Sequence, residues 1–363
     1  MRLFHKTWLL VVIMLLIVAG SCTSGKMLIS ASGQSSCLNK NGYWYKGKCW
    51  AGFEEPGIVA TNVDSVVSAQ IKAIDLTYVS INNERFAIDF FFPQQEDKET
   101  LLIVSFAQLE ENIILSFDSK LMEKGDFTAE ANYLKGNILE AEDDFQPTAV
   151  AAGQLDVSLT EDFDVTIKGV LNNEKGKKFE VEIFANEAVM GAGTSKLEVR
   201  GEEAFLSGTL GTITYQQIRD MLSKHPEVHT IVLDQIDGSI NDDINMHTGR
   251  IVREAGLNTK VLSQSHIASG GVDLFASGVE RTVTKGAKLG VHSWAGEDIK
   301  GDEMPQDHPA HQYQLAYFTQ MLGSVKGPAF YFYTLKSAPA ESIYYMTNEE
   351  IRQWNLATDW RIK

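Results

Sequence analysis

The chain has 363 residues, enough for two domains of ordinary size. Its 44% hydrophobic and 22% charged content excludes a disordered or low-complexity protein. A formal net charge of −16 without any basic cluster speaks against a nucleic-acid-binding surface.

At the N-terminus Arg2, His5 and Lys6 precede an apolar run from Trp8 to Gly20, and the segment closes on Ala19-Gly20-Ser21-Cys22. A charged start, a short hydrophobic middle and small residues before a cleavage point make an export signal, assigned to residues 1–22. The run falls short of the roughly 20 residues that a membrane-spanning helix needs. The residues ahead of Cys22 resemble a bacterial lipobox, although Ala19 stands where that motif usually has leucine. The resemblance implies lipidation of Cys22, a lipid anchor and a place in the cell envelope facing the periplasm or exterior. An ordinary signal peptide cut nearby is the alternative.

Residues 23–57 open with a Ser- and Gly-rich stretch that reads as a tether. In an exported chain the close pair Cys37 and Cys49, around Asn41-Gly42, reads as a disulfide-closed hairpin. Two thiols without nearby histidines are too few for a metal site. Tyr43, Trp44, Tyr45 and Trp50 are expected to pack over this small loop. From 58 to 195 short apolar runs (Phe86–Phe92, Leu101–Ala107, Asn112–Phe117, Phe163–Ile167, Phe179–Phe184) alternate with turn residues. They predict an all-β sandwich or barrel-like module with one wet face. The acidic stretch Glu140, Glu142, Asp143 and Asp144 reads as a solvated loop rather than a calcium site.

From 196 to 363 strands alternate with helices. Leu197–Leu206 and Thr230–Leu233 read as strands, Tyr215–Ser223 and Asp242–Ala255 as helices, the latter stopped by Gly256. Such βα units argue for a mostly parallel sheet with covering helices, and ligands bind beyond the strand C-termini of such sheets. The centre of this region is Val261 to Trp294. A strand and turn lead to Ala268-Ser269-Gly270-Gly271, from which a helix continues to Phe275. Strands Glu280–Thr284 and Lys288–Val291 follow, the second ending at His292. A serine at a helix start and a histidine at a strand end are a candidate nucleophile and base. Alone, Ser269 would be an ordinary helix cap and His292 an ordinary structural hydrogen-bonder.

Ala268-Ser269-Gly270-Gly271, Gly278-Val279-Glu280-Arg281 and Val291-His292 together resemble the Clp-type serine peptidases of the Clp/crotonase superfamily, in particular exported bacterial proteins with such a C-terminal domain. The resemblance covers about Lys196 to Lys363. It implies a Clp/crotonase-like α/β domain, peptide hydrolysis through a Ser–His acyl-enzyme, a peptide or protein substrate, no cofactor or metal, and a possible homo-oligomer. Ser269 and His292 would be nucleophile and base, with the Gly238 and Gly270 amides forming the oxyanion hole. The family's N/D-S-P-G-G turn is here Asp234-Gln235-Ile236-Asp237-Gly238-Ser239, so Ile236 replaces proline and Asp237 replaces the first glycine. An Asp237 carboxylate facing the hole would oppose the developing charge. The position of the family's catalytic aspartate is Ile343, which leaves Glu341 or Ser342 as substitutes, of which Glu341 is the candidate third member. Thr347-Asn348-Glu349-Glu350 reads as the capped start of the last helix.

Three other groups carry residues of the same chemical types. Lys285 and Lys288 would serve a Ser–Lys mechanism but fit an exposed hairpin. Ser265 and His266 read as loop residues. His308 and His311, three apart with no third ligand, are expected on a solvated helix face. Against the hydrolase stands a catalytically degenerate envelope lipoprotein that uses the same fold as a binding or assembly scaffold.

Overall fold

The structure, a computed structural model, describes residues 30–40, 43–50, 61–96, 98–138, 147–160, 163–296 and 299–361. The export signal, Cys22, Asn41-Gly42 and the acidic stretch 140–144 lie outside the described residues. Two compact units are present, one built on Val67–Thr194, the other on Ser195–Lys363 together with the cysteine hairpin.

The hairpin pairs β1 (Tyr43–Tyr45) with β2 (Lys48–Trp50) around Lys46-Gly47, whose φ angles of 47° and 77° give the left-handed turn that suits a two-residue connection. The turn that joins β1 to β2 is thus Lys46-Gly47. Cys37 and Cys49 form the expected disulfide. Trp50 is buried in the core of the second unit, so this segment is part of that unit as well as a connection.

The first unit, from Val67, opens within the helix Val63–Ile74, an element that the β-rich reading does not include. Its strands are β3 (Tyr78–Ile81), β4 (Glu84–Phe86), β5 (Ile88–Glu96), β6 (Glu99–Phe106), β7 (Glu111–Asp118), β8 (Asp126–Lys135), β9 (Thr148–Leu159), β10 (Val165–Asn172) and β11 (Lys178–Ala185). They form one antiparallel sheet in the order β4-β3-β11-β10-β9-β8-β7-β6-β5. Only Ala87 separates the two end strands in the chain, so the sheet curls until it is nearly closed. Alternation explains its stability: on β11 Phe179, Val181, Ile183 and Ala185 point inward while their neighbours meet water. Strands β8 and β9 were not anticipated, because runs such as FTAEANYLK carry small and charged residues that weaken the apolar signal.

In the second unit β12 (Lys196–Arg200) and β13 (Glu203–Ser207) form a hairpin, where the sequence had suggested one continuous strand. Gly201, at φ 63°, makes the break. β13 continues in parallel with β14 (Thr230–Leu233), β15 (Asn258–Val261), β17 (Arg281–Thr284) and the last strand, β20 (Asp359–Arg361), as a six-stranded sheet. A second, three-stranded sheet joins β16 (His266–Ala268) to β18 (Lys288–Val291) in parallel and β18 to β19 (Tyr344–Tyr345) in antiparallel fashion. Helices Thr212–Lys224, Asp242–Glu254, Gly270–Ala276, Gln312–Leu322 and Lys326–Ser337 belong to this unit, and a capping box formed by Thr347 and Glu350 starts the helix Asn348–Gln353. In the central strand Thr230–Leu233 the last three residues are buried in succession, as in parallel strands covered on both faces.

Two arginines, Arg281 buried and Arg253 half-buried, fasten the unit. Arg253 donates to the carbonyls of Ser277, Ala276, Gly278 and Met321, closing the C-terminal end of the Gly270–Ala276 helix. Arg281 donates to Leu356, Gly278 and Asn355, tying the start of β17 to the turn before β20. Burial lowers the Arg281 pKa to about 10, so it stays charged at neutral pH. Arg281→Met would leave these buried carbonyls without partners. It is expected to lower unfolding free energy by about 3 kcal/mol, read from urea denaturation midpoints. An unchanged midpoint would contradict this role.

Candidate functional site

Ser269 leaves the end of β16 with φ 52° and ψ −125°, a conformation that L-residues rarely adopt, and the next residue starts the Gly270–Ala276 helix. A sharp strand-to-helix turn of this kind lifts a side chain clear of the backbone. Ser269 makes no side-chain capping bond, so the bland reading of a helix cap does not describe it. Its N–H donates to Gly290 O at 3.0 Å, which couples it to β18. Ala268 pairs with Gly290, and His292 follows two residues later.

Ser269 and His292 line one small cavity of about 50 Å³. Asp242, Asp273, Val291, Ser293, Trp294 and Tyr331 are among its other walls. Of the histidine only 7% is exposed, and its Nδ1 is buried without a hydrogen-bond partner. Burial pushes the His292 pKa below its ordinary value, partly offset by the backbone at Ala340 and Ser293. The ring is therefore neutral, the form in which an imidazole accepts a proton.

The Asp234–Ser239 turn is held on both sides. Ile236 N donates to His266 O at 3.0 Å, Ala268 N donates to Ile236 O at 2.8 Å, and Leu210 N donates to Gly238 O at 2.9 Å. Gly238, at φ 157°, thereby comes against the serine: a Cβ added to it would lie 3.3 Å from Ser269 Cβ and 3.7 Å from Oγ. Neither the Gly238 N–H nor the Gly270 N–H donates a hydrogen bond among the described residues. The two substitutions in this turn are accommodated. Ile236 packs on Gly271, where a Cβ would come within 2.8 Å of its Cγ2. Asp237 is 56% exposed and sits 2.8 Å from His266 Nε2, apart from the cavity walls.

Glu341 is exposed and is not among the cavity-lining residues; Ile343 packs on Gly290 instead. Lys285 and Lys288 are exposed, as expected, and Lys288 reaches over the Tyr345 ring. Ser265 is buried, and His266 begins β16 rather than lying in a loop.

The expectation for His308 and His311 is overturned, since both are fully buried. Tyr43, Tyr45 and Trp50 of the hairpin meet the His308 ring edge-on at 5.0–5.4 Å, and Nδ1 accepts from Ala310 N. Burial drives the His308 pKa down to about 4, so it packs as a neutral ring. His311 Nδ1 meets Tyr331 Oη at 2.8 Å, and that oxygen also accepts from Trp294 Nε1 at 2.9 Å. No metal-ligating cluster occurs among the described residues.

Asp242 and Asp273 are the cavity residues that sequence reasoning passed over. Asp242 was read only as a helix start. Asp273 is the one charged residue in the otherwise apolar Gly270–Ala276 helix, one turn beyond Ser269, and that isolation was the available signal. Enclosure raises the Asp242 pKa to about 6, opposed by the Ser239 hydroxyl that donates to it. Burial, and then the Asp242 charge, raise Asp273 well above the carboxylate range.

No family model matches the chain, and no curated protein matches it. Among solved structures it is similar to an enoyl-CoA hydratase from Bacillus anthracis (10% identity over 47% of this chain and 69% of that one, TM-score 0.32). It is likewise similar to an enoyl-CoA hydratase/isomerase from Marinobacter aquaeolei (10%, 47% and 71%, TM-score 0.33). A mutant of the membrane-bound stomatin-specific protease 1510-N is similar over 43% of this chain and 76% of that one, at 12% identity and TM-score 0.32. The chemistry of the site is read from its own residues.

A carboxyl whose folded pKa is raised holds a proton that the unfolded chain has released, so it loses stability as pH rises from 3.8 to about 6 and keeps that deficit above. Asp242→Asn removes the deficit. It is expected to stabilise the protein by roughly 2 kcal/mol at pH 7.5 and by little at pH 4, measured by urea denaturation at both values. Equal effects at the two pH values would contradict the assigned burial.

Proposed function

We propose that the second unit is a serine hydrolase of peptide bonds acting through an acyl-enzyme. One observation carries this reading: Ser269, uncapped on a strained turn, shares a cavity with a neutral, buried His292 and lies against Gly238. His292 would take the Ser269 proton as Oγ bonds to the substrate carbonyl carbon. The Gly238 and Gly270 amides would receive the negative charge on the carbonyl oxygen. Collapse breaks the C–N bond, and the departing amine takes the proton from His292. Water, deprotonated by the same imidazole, then attacks the ester and releases the acid. Glu341 does not line the cavity, and the unpartnered Nδ1 supports a dyad.

A fluorophosphonate probe should label the wild-type chain at Ser269, and Ser269→Ala should abolish labelling. His292→Ala should slow it by about 100-fold or more. The base works when neutral, so the rate should fall only as pH drops through a pKa below 6.5, the lowered direction assigned to His292. A folded wild type that stays unlabelled would sink the hydrolase and leave the scaffold reading in place.

For location, we propose export and lipid anchoring at Cys22. The Cys37–Cys49 disulfide supports an oxidising compartment. Cys22→Ala should shift the protein from the membrane fraction to the soluble one, and incorporation of labelled palmitate should be lost with it. Unchanged fractionation would count against the anchor.

A further inference from the structure

The second unit gathers two carboxylates at its catalytic cavity and gives them no cation. Asp242 comes from the first turn of the Asp242–Glu254 helix, Asp273 from the first turn of the helix after Ser269. No lysine or arginine lines the cavity, and neither carboxylate has an ion pair among the described residues. Asp242 accepts the Ser239 hydroxyl, whereas the Asp273 side chain accepts no hydrogen bond from the described residues. A third polar group on the same walls is unsatisfied: His292, more than nine-tenths buried, keeps Nδ1 without a partner. Trp294, Phe318 and Tyr331 supply aromatic surface beside them.

Folding alone gains nothing from two carboxyl groups confined side by side without a cation, and such arrangements concentrate at sites that bind something. A ligand cation would reverse the cost, because it supplies hydrogen-bond donors and the missing charge at once. The room for water-sized groups is about 50 Å³, which suits a compact ammonium better than a guanidinium with its five donors spread in a plane. Aromatic neighbours favour a cation over a neutral amide.

We infer that Asp242 and Asp273 form a subsite for a primary ammonium group of the substrate, placed beside Ser269. The inference rests on the hydrolase reading and names its substrate class: a peptide whose lysine side chain or free amino terminus enters this cavity. Asp273 is the main anchor, since its carboxylate is not engaged by the protein. Asp242 sets the second charge and is oriented by Ser239.

Binding is tested apart from turnover. The full-length Ser269→Ala protein, titrated calorimetrically at pH 7.5, should bind n-butylammonium at least about tenfold more tightly than n-butanol, and adding Asp273→Asn should erase that difference. Equal affinity for the two probes overturns the subsite whether or not the wild type hydrolyses anything. Turnover then distinguishes the two sources of the ammonium. Among thiobenzyl esters, wild type should cleave either Nα-acetyl-lysine or free-amine norleucine with kcat/KM about 100-fold above Nα-acetyl-norleucine. The first preference identifies a side chain, the second an amino terminus. Three equal rates from an enzyme that the fluorophosphonate labels would reject the subsite and keep the hydrolase. A labelling failure with ammonium binding intact would reject the hydrolase and keep the subsite.

Discussion

The parallel pairing of β16 with β18, with Ala268 opposite Gly290, is the constraint on which the site depends. β18 ends one residue beyond β16, and the residues that leave them, Ser269 and His292, arrive at one cavity. The register has little freedom. A side chain at Gly290 would meet Ile343 Cγ2 at 2.5 Å and Ala268 Cβ at 3.1 Å, so only glycine fits between the strands. A slip of one residue would turn His292 to the opposite face, because side chains alternate along a strand. Gly270 and Gly271 serve the same end on the neighbouring layer, where added methyl groups would strike Ser239 and Ile236.

Charge is handled in opposite ways within a short distance. Arg253 and Arg281 are enclosed, yet backbone carbonyls meet their guanidinium groups, and both fasten segments next to the site. Satisfied in this way, a buried cation stabilises the arrangement of the chain around it. Asp273 has no such compensation among the described residues, and Asp242 has only the Ser239 hydroxyl. The contrast separates groups retained for the fold from groups whose cost a fold would not carry without another use.

The cysteine hairpin reaches the same region through packed rings. Tyr43, Tyr45 and Trp50 surround His308; His311 follows three residues later and meets Tyr331, which also accepts from Trp294. Trp294 and Tyr331 are cavity walls. Neutral histidines make this continuity possible, because a charged ring in such surroundings would demand a counter-ion. A segment that composition marks as a spacer thus supplies part of the packing behind the site.

Local patterns in the sequence determined much of this. The alternation of short apolar runs marked a β-rich region before 196 and βα units after it. Ser269 and His292 could be named from a helix start and a strand end, and Gly238 from the resemblance of 234–239 to the N/D-S-P-G-G turn. The disulfide was legible from two cysteines at close spacing, and the last helix from its Thr347–Glu350 box. Only the tertiary structure decided what depends on residues far apart in the chain. It curled nine strands into one nearly closed sheet, and buried His308 under rings from a hairpin more than 250 positions away and His311 against Trp294, Tyr331 and Phe332. It also turned Asp237 toward His266 and brought Asp242 and Asp273 to one cavity. The division has a physical cause. Backbone preference and amphipathic period act over a few residues, whereas burial, and with it the charge state of a carboxyl or an imidazole, is set by whatever distant segments pack around it.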